Sequence, residues 1–105
     1  MLRFQVWMTE LAPVVGSEMG KTRPCVIISP DEANRRIATV ILAPLTSVRR
    51  NWPSRVPVRF KRRGGDVALD QMQAMDKSRL KQRVGMLSSA EAQAVLDCLS
   101  AMFKS

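Results

Sequence analysis

The chain has 105 residues, with 17 Lys and Arg against 9 Asp and Glu, no histidine and two cysteines, for a net charge of +8 and a pI near 10.8. This length fits a single domain over residues 1–105, burying roughly 60–70% of its unfolded surface and leaving no room for a second core. Without histidine the usual neutral-pH general base and the commonest metal ligand are missing, and the positive field makes polyanions, nucleic acid first, the expected partners.

Residues 5–11 are rich in strand formers and are stopped by Pro13, which predicts a first strand followed by a polar loop over 16–23. The apolar runs 25–29 and 39–43, bounded by Pro30 and Pro44, predict two buried strands. Between them Ser29-Pro30-Asp31-Glu32 predicts a helical turn, with Ser29 as its cap and Pro30 in the first helical position. Residues 56–60 alternate apolar and polar except at Pro57, which places that strand at an edge. Lys61-Arg62-Arg63-Gly64-Gly65-Asp66 predicts the turn that returns the chain through a partner strand over 67–70. Further strand is expected over 71–76 and 84–86, with a helical turn over 77–80 between them.

Ser88-Ser89-Ala90-Glu91 has capping-box spacing, and Ala92, Val95, Leu96, Leu99 and Phe103 recur at helical spacing, so a C-terminal helix lays one apolar stripe on the sheet. The expected fold is mainly β with a C-terminal helix, a small, strongly bent, mostly antiparallel sheet closed like a barrel. No apolar run approaches the ~20 residues of a membrane span, and residues 1–5 open a strand rather than a secretory leader, so no membrane partner and a cytoplasmic location are expected. Cys25 and Cys98 lie in apolar and helical patterns without metal-ligand spacing, and read as small core residues of a reducing compartment.

Asp66, Asp70 and Asp76 share no metal-binding loop pattern, so neither a metal nor any other cofactor is expected. Arg, Thr, Ser, Gln and Glu remain. These suffice to cleave RNA, which carries its own nucleophile: the 2′-hydroxyl attacks the adjacent phosphate if charge is stabilised and the leaving oxygen is protonated. Pro24 sends Arg23 out of the loop in extended geometry, where its planar fork matches phosphate oxygens. Thr46 would donate to the same phosphate, and Glu18 is the candidate base. An alternative gives Arg23 a structural ion pair and has Thr46-Ser47 cap a turn. Trp52, beside Arg49 and Arg50, either stacks on a base or anchors its loop. Lys61-Arg62-Arg63 either meets phosphates or forms a solvated hairpin tip.

Gly16-Ser17-Glu18, Lys21-Thr22-Arg23-Pro24, Val26-Ile27-Ile28-Ser29-Pro30, Asn34, Ala43-Pro44-Leu45-Thr46-Ser47, Pro57-Val58 and Val67-Ala68-Leu69-Asp70-Gln71 together resemble the MazF/PemK toxins, in order along nearly the whole chain. The resemblance implies an SH3-like barrel of the CcdB/PemK type and a homodimer. It implies metal- and ribosome-independent cleavage of single-stranded mRNA at short sequences, leaving a 2′,3′-cyclic phosphate and a 5′-hydroxyl, and a cognate acidic antitoxin that fills the RNA groove. Carried onto this chain, it puts catalysis on Arg23, Thr46 and Glu18, and RNA binding on Ser47, Lys21, Asn34, Asp70 and Gln71, with Trp52 as the stacking candidate. The chain departs from the pattern at Phe4-Gln5-Val6-Trp7, where members usually carry Gly-Asp before the Trp, and at Ala12-Pro13, where Asp-Pro is common. A non-enzymatic nucleic-acid-binding module or a gyrase-directed poison on the same barrel is the alternative. The ending Ala101-Met102-Phe103-Lys104-Ser105 lacks the Trp-Gly-Ile/Phe-type terminus of gyrase poisons.

Overall fold

The computed structural model describes residues 1–11 and 21–105. Among them run β1 (Gln5–Glu10), β2 (Thr22–Ile27), α1 (Asp31–Arg36), β3 (Thr39–Thr46), β4 (Arg55–Phe60), β5 (Arg63–Ala68), β6 (Gln73–Asp76), β7 (Leu80–Met86) and α2 (Ser89–Met102). Single 3-10 turns, Leu69–Gln71 and Lys77–Arg79, flank β6. The strand order is β4-β5-β3-β2-β1-β7 with β6 also on β3, and every pairing is antiparallel. The two ends of this order curl toward each other: a Cβ added at Gly85 on β7 would meet the Phe60 ring on β4 at 3.1 Å. The fold is mainly β with a C-terminal helix, as expected, and its bent sheet curls into a half-barrel.

The unbroken apolar run of β2 has a simple cause, since this strand is covered on both faces. Val26 and Ile28 join a large core with Val6, Ala43, Leu45, Val58, Val67 and Val95. Cys25 and Ile27 point the other way, into a smaller core with Val40, Leu42, Met75 and Leu80, which Trp7 and Leu11 flank. A strand buried on both sides loses the period-two alternation and reads as continuous hydrophobicity.

β3 extends through Pro44 rather than ending before it. On one edge β3 pairs with β6 as far as Leu42 and with β5 from Leu45, so Pro44 falls in the gap between partners. No ladder bond on that edge is given up to the missing N–H. Pro57, by contrast, sits on the edge strand β4 as expected.

Three local expectations change. Pro30, not Ser29, occupies the N-cap of α1. The Ser29 hydroxyl instead donates to Asn34 Oδ1 at 2.5 Å and accepts from Ile41 N at 3.0 Å, closing the β2–β3 connection from inside. The 60–66 hairpin turns over two residues only, because Phe60 pairs directly with Arg63. Lys61 and Arg62 both take left-handed φ, 49° and 66°, the pattern of a type I′ turn. Gly64 and Gly65 belong to β5, which itself ends at Ala68 instead of continuing to Asp70. Gly65 is required by close approach: an added Cβ would lie 2.4 Å from the Thr46 carbonyl oxygen.

The capping box of α2 forms in full, with Ser88 Oγ accepting from Glu91 N at 3.1 Å and Glu91 Oε1 accepting from Ser88 N at 2.9 Å. Glu91 Oε2 also accepts from Arg59 N at 2.8 Å, so the same carboxylate ties the helix to β4. Val95, Cys98, Leu99 and Met102 make the packed stripe, while Phe103 lies beyond the helix and is 69% exposed. No described helix is long and apolar enough to cross a membrane.

Removing the cap hydroxyl by Ser88→Ala should cost about 1 kcal/mol, and Gly65→Ala should cost more, because backbone rather than a flexible side chain must move. Urea midpoints of the two variants, compared at equal m-value, check the ranking.

Candidate active site

Arg23 is the second residue of β2 and is exposed; on β1 it pairs with Thr9. It shares a face with Cys25, two residues on, so the strand carries it outward from the small core into solvent. β2 and β3 pair as Ile27↔Leu42, Val26↔Ala43 and Cys25↔Pro44. That ladder ends at Cys25↔Pro44, two residues short of Arg23 on β2 and of Thr46 on β3. Both side chains line one cavity of about 400 Å³, together with Arg50, Arg55, Gln71 and Gln73.

Three arginines therefore surround this cavity, and none of the described residues lining it is acidic. Such a site attracts a group with negative oxygens and holds it through fixed forks of donors. Thr46 Oγ1 accepts from Val48 N at 3.1 Å. That bond does cap the turn after β3, and a hydroxyl used as an acceptor still has its proton to donate. No described carboxylate lies within ion-pair distance of Arg23.

The walls of the cavity are held by two aspartates. Asp66 is 1% exposed on β5, and its Oδ2 accepts from Arg50 N at 2.8 Å, fixing the segment after Thr46. Asp70 accepts from Arg55 Nε at 2.7 Å and Nη2 at 3.3 Å, and from Ser54 Oγ at 3.0 Å. The Arg55 bonds hold the Asp70 carboxyl below the ordinary carboxylate range, with Ser54 adding to the effect against partial desolvation. The Trp52 indole, 50% exposed, stands 4.6 Å from the Arg55 guanidinium and 5.6 Å from that of Arg50. It thus presents a ring buttressed by two cations.

The sequence-predicted residues divide accordingly. Arg23, Thr46 and Gln71 share the cavity, and Asp70 and Trp52 adjoin it through Arg55. Lys21 is exposed just before β2, its carbonyl accepting from Leu11 N. Ser47 lines a neighbouring cavity instead. Asn34 is not at the site: it is 3% exposed in α1, its amide donating to Ser29 O at 2.9 Å and accepting from the Ser29 hydroxyl. Glu18 lies outside the described residues. Cys25 is no nucleophile, since burial pushes its thiol up to about 11 despite Thr9 and Arg23 nearby. No group of His, Cys, Asp and Glu among the described residues is arranged to hold a metal ion.

Arg50, Arg55 and Gln73 were not singled out in the sequence. Arg50 carried a signal in its place beside Trp52. Arg55 carried none, since its partner Asp70 is fifteen residues away and reaches it through the β4–β5 register.

Residues 2–103 match the family described as PemK-like, MazF-like toxin of type II toxin-antitoxin systems. A curated relative, endoribonuclease MazF of Staphylococcus epidermidis, is 36% identical over 95 residues, covering 85% of this chain and 79% of the relative. Among solved structures, an endoribonuclease in complex with its cognate antitoxin from Mycobacterial species superposes with TM-score 0.82 at 25% identity, covering 96% of this chain and 92% of that one. MazF from Deinococcus radiodurans superposes with TM-score 0.80 over 100% of this chain and 97% of its own, where 20% identity shows the fold alone. The chain, with its bent sheet and its arginine-rimmed cavity at the β2–β3 ends, belongs to the PemK-like, MazF-like toxin family of type II toxin–antitoxin systems.

Proposed function

We propose that this chain is an endoribonuclease toxin that cuts single-stranded RNA at short sequences without a metal ion, and that a cognate acidic antitoxin restrains it. The observation that carries this reading is the cavity shared by Arg23 and Thr46, rimmed by Arg50 and Arg55. Names of relatives support it, since the curated relative and the Mycobacterial neighbour are both endoribonucleases and the latter is bound to its antitoxin.

The scissile phosphate sits between Arg23 and Thr46. The 2′-oxygen attacks phosphorus and the bond to the 5′-oxygen breaks, leaving a 2′,3′-cyclic phosphate on one product and a 5′-hydroxyl on the other. The proton of the 2′-hydroxyl passes to a base, for which Glu18 is the candidate by resemblance, and a second proton reaches the departing 5′-oxygen. Negative charge builds on the non-bridging oxygens during attack, and there the Arg23 fork and the Thr46 hydroxyl interact more strongly than in the ground state. Arg50 and the chain's net charge of +8 steer the polyanion in, so the association rate falls as salt rises. Asp70, held by Arg55, and Gln71 form an edge that reads a base, and the Trp52 ring supplies a stacking surface.

A homodimer would double the cationic surface and extend it into a groove. An acidic, disordered antitoxin tail would compete for that groove by the same electrostatics, folding as it binds.

Arg23→Ala should lower kcat/KM on single-stranded RNA by about 10²–10³-fold or more, with the far-UV spectrum and Tm unchanged because the side chain is exposed. Thr46→Val should lower it roughly ten- to hundredfold. Cleavage rates of the three proteins on one long RNA, followed by gel electrophoresis, give both ratios, and normal cutting by Arg23→Ala would refute the proposed role of this arginine.

A further inference from the structure

The cavity beneath the β4–β5 turn is larger than the one at Arg23, about 490 Å³, within the roughly 300–1,000 Å³ of small-ligand sites. Thr46 and Leu45 line both, so the two cavities lie on either side of the end of β3. We propose that this second cavity is a nucleotide subsite: it receives the base of the nucleotide adjoining the scissile phosphate on the side of Thr46 away from Arg23, and sets part of the cut sequence. The proposal rests on the endoribonuclease reading above and names a pocket for it.

Four features favour a nucleotide as the occupant. Phe60, Pro24 and Val58 give the cavity an apolar lining on which a base can lie. Direct pairing of Phe60 with Arg63 and of Val58 with Gly65 puts these four residues on one face, so the Arg63 cation stands on the same side as the ring. Lys61 adds a second cation at the rim, its Nζ 5.5 Å from the Phe60 ring centre. Neither Lys61 nor Arg63 is ion-paired among the described residues, which leaves both for phosphate.

The third feature is a strand edge without a ladder partner. β3 pairs with β5 only at Leu45↔Val67 and Thr46↔Asp66 and then leaves the sheet. Along 63–65 no described strand pairs with that side of β5, and the Thr46–Ser47 backbone packs against Gly65 there, so the N–H and C=O groups left over from the β4 ladder lie beside the cavity lining. Backbone donors and acceptors of this kind read the edges of an unstacked base. The fourth is conformational. Lys61, at the cavity rim, takes a left-handed φ of 49° in a two-residue turn, which fixes where its side chain leaves the hairpin.

Two measurements decide it. Wild type, Phe60→Leu and Arg63→Ala are each given a randomised single-stranded RNA library, and the cut sites are sequenced; Arg63 is exposed, so this variant stays informative if Phe60→Leu fails to fold. The expected result is a loss of discrimination of about tenfold at one position next to the cut, with the other positions unchanged. Equal discrimination at every position in both variants overturns the proposal. Separately, wild type is irradiated with random 2′-fluoro oligonucleotides containing 5-iodouridine, which bind but lack the nucleophile. A crosslink in the 60–66 peptide supports the subsite, and its absence overturns it, leaving the cavity to a protein partner. A wild-type chain that cuts no RNA refutes the endoribonuclease reading, and the crosslink then decides the subsite alone.

Discussion

The register between β2 and β3 governs everything at the site. Three pairings, Ile27↔Leu42, Val26↔Ala43 and Cys25↔Pro44, determine which residue of one strand stands opposite which of the other. A slip of one residue would turn every side chain of β2 to the other face. That slip is barred by burial on both sides, since Val26 and Cys25 are fully buried in different cores. A strand whose C-terminal half is buried on both faces thus carries the exposed Arg23 at its other end, and the Ser29–Asn34 clip holds the far end of the same strand pair.

Around that frame, acidic residues serve as spacers for basic ones. Asp66 spends its buried carboxylate on the backbone of Arg50, and Asp70 spends its own on the guanidinium of Arg55. The Arg55 side chain is 6% exposed and that of Asp70 30%, so the bidentate pair lies at the protein surface with the guanidinium inward, and its two bonds fix the orientation of both groups. Trp52 lies 4.6 Å from the same Arg55 guanidinium, and the edge proposed to read a base is therefore stiff before any RNA arrives. The surplus of eight positive charges remains for the polyanion.

Where the sequence was readable, local chemistry and fold agreed. The apolar runs of β2 and β3, the edge position of Pro57 and the capping box at Ser88 each express a constraint contained within a few residues. The hairpin at 60–63 was misread because Gly64-Gly65 is the stronger turn signal by composition, yet those glycines serve the approach of β5 to Thr46. The resemblance puts Asn34 among the RNA-binding residues, and only the folded β2–β3 connection turns its amide inward. The resemblance brought Arg23 and Thr46 forward as a pair, but their juxtaposition depends on a register no single segment encodes. Arg55 and Asp70 were invisible as a pair for the same reason.

The central claim is that a cationic cavity without histidine cleaves RNA by using the substrate's own 2′-hydroxyl. Incubating the purified protein with a long single-stranded RNA in EDTA, and determining the chemistry of the new ends, tests it most directly. The account predicts discrete cuts at one recurring short sequence, each leaving a 2′,3′-cyclic phosphate and a 5′-hydroxyl. Intact RNA beside a correctly folded protein, or 3′-hydroxyl and 5′-phosphate ends, would contradict it.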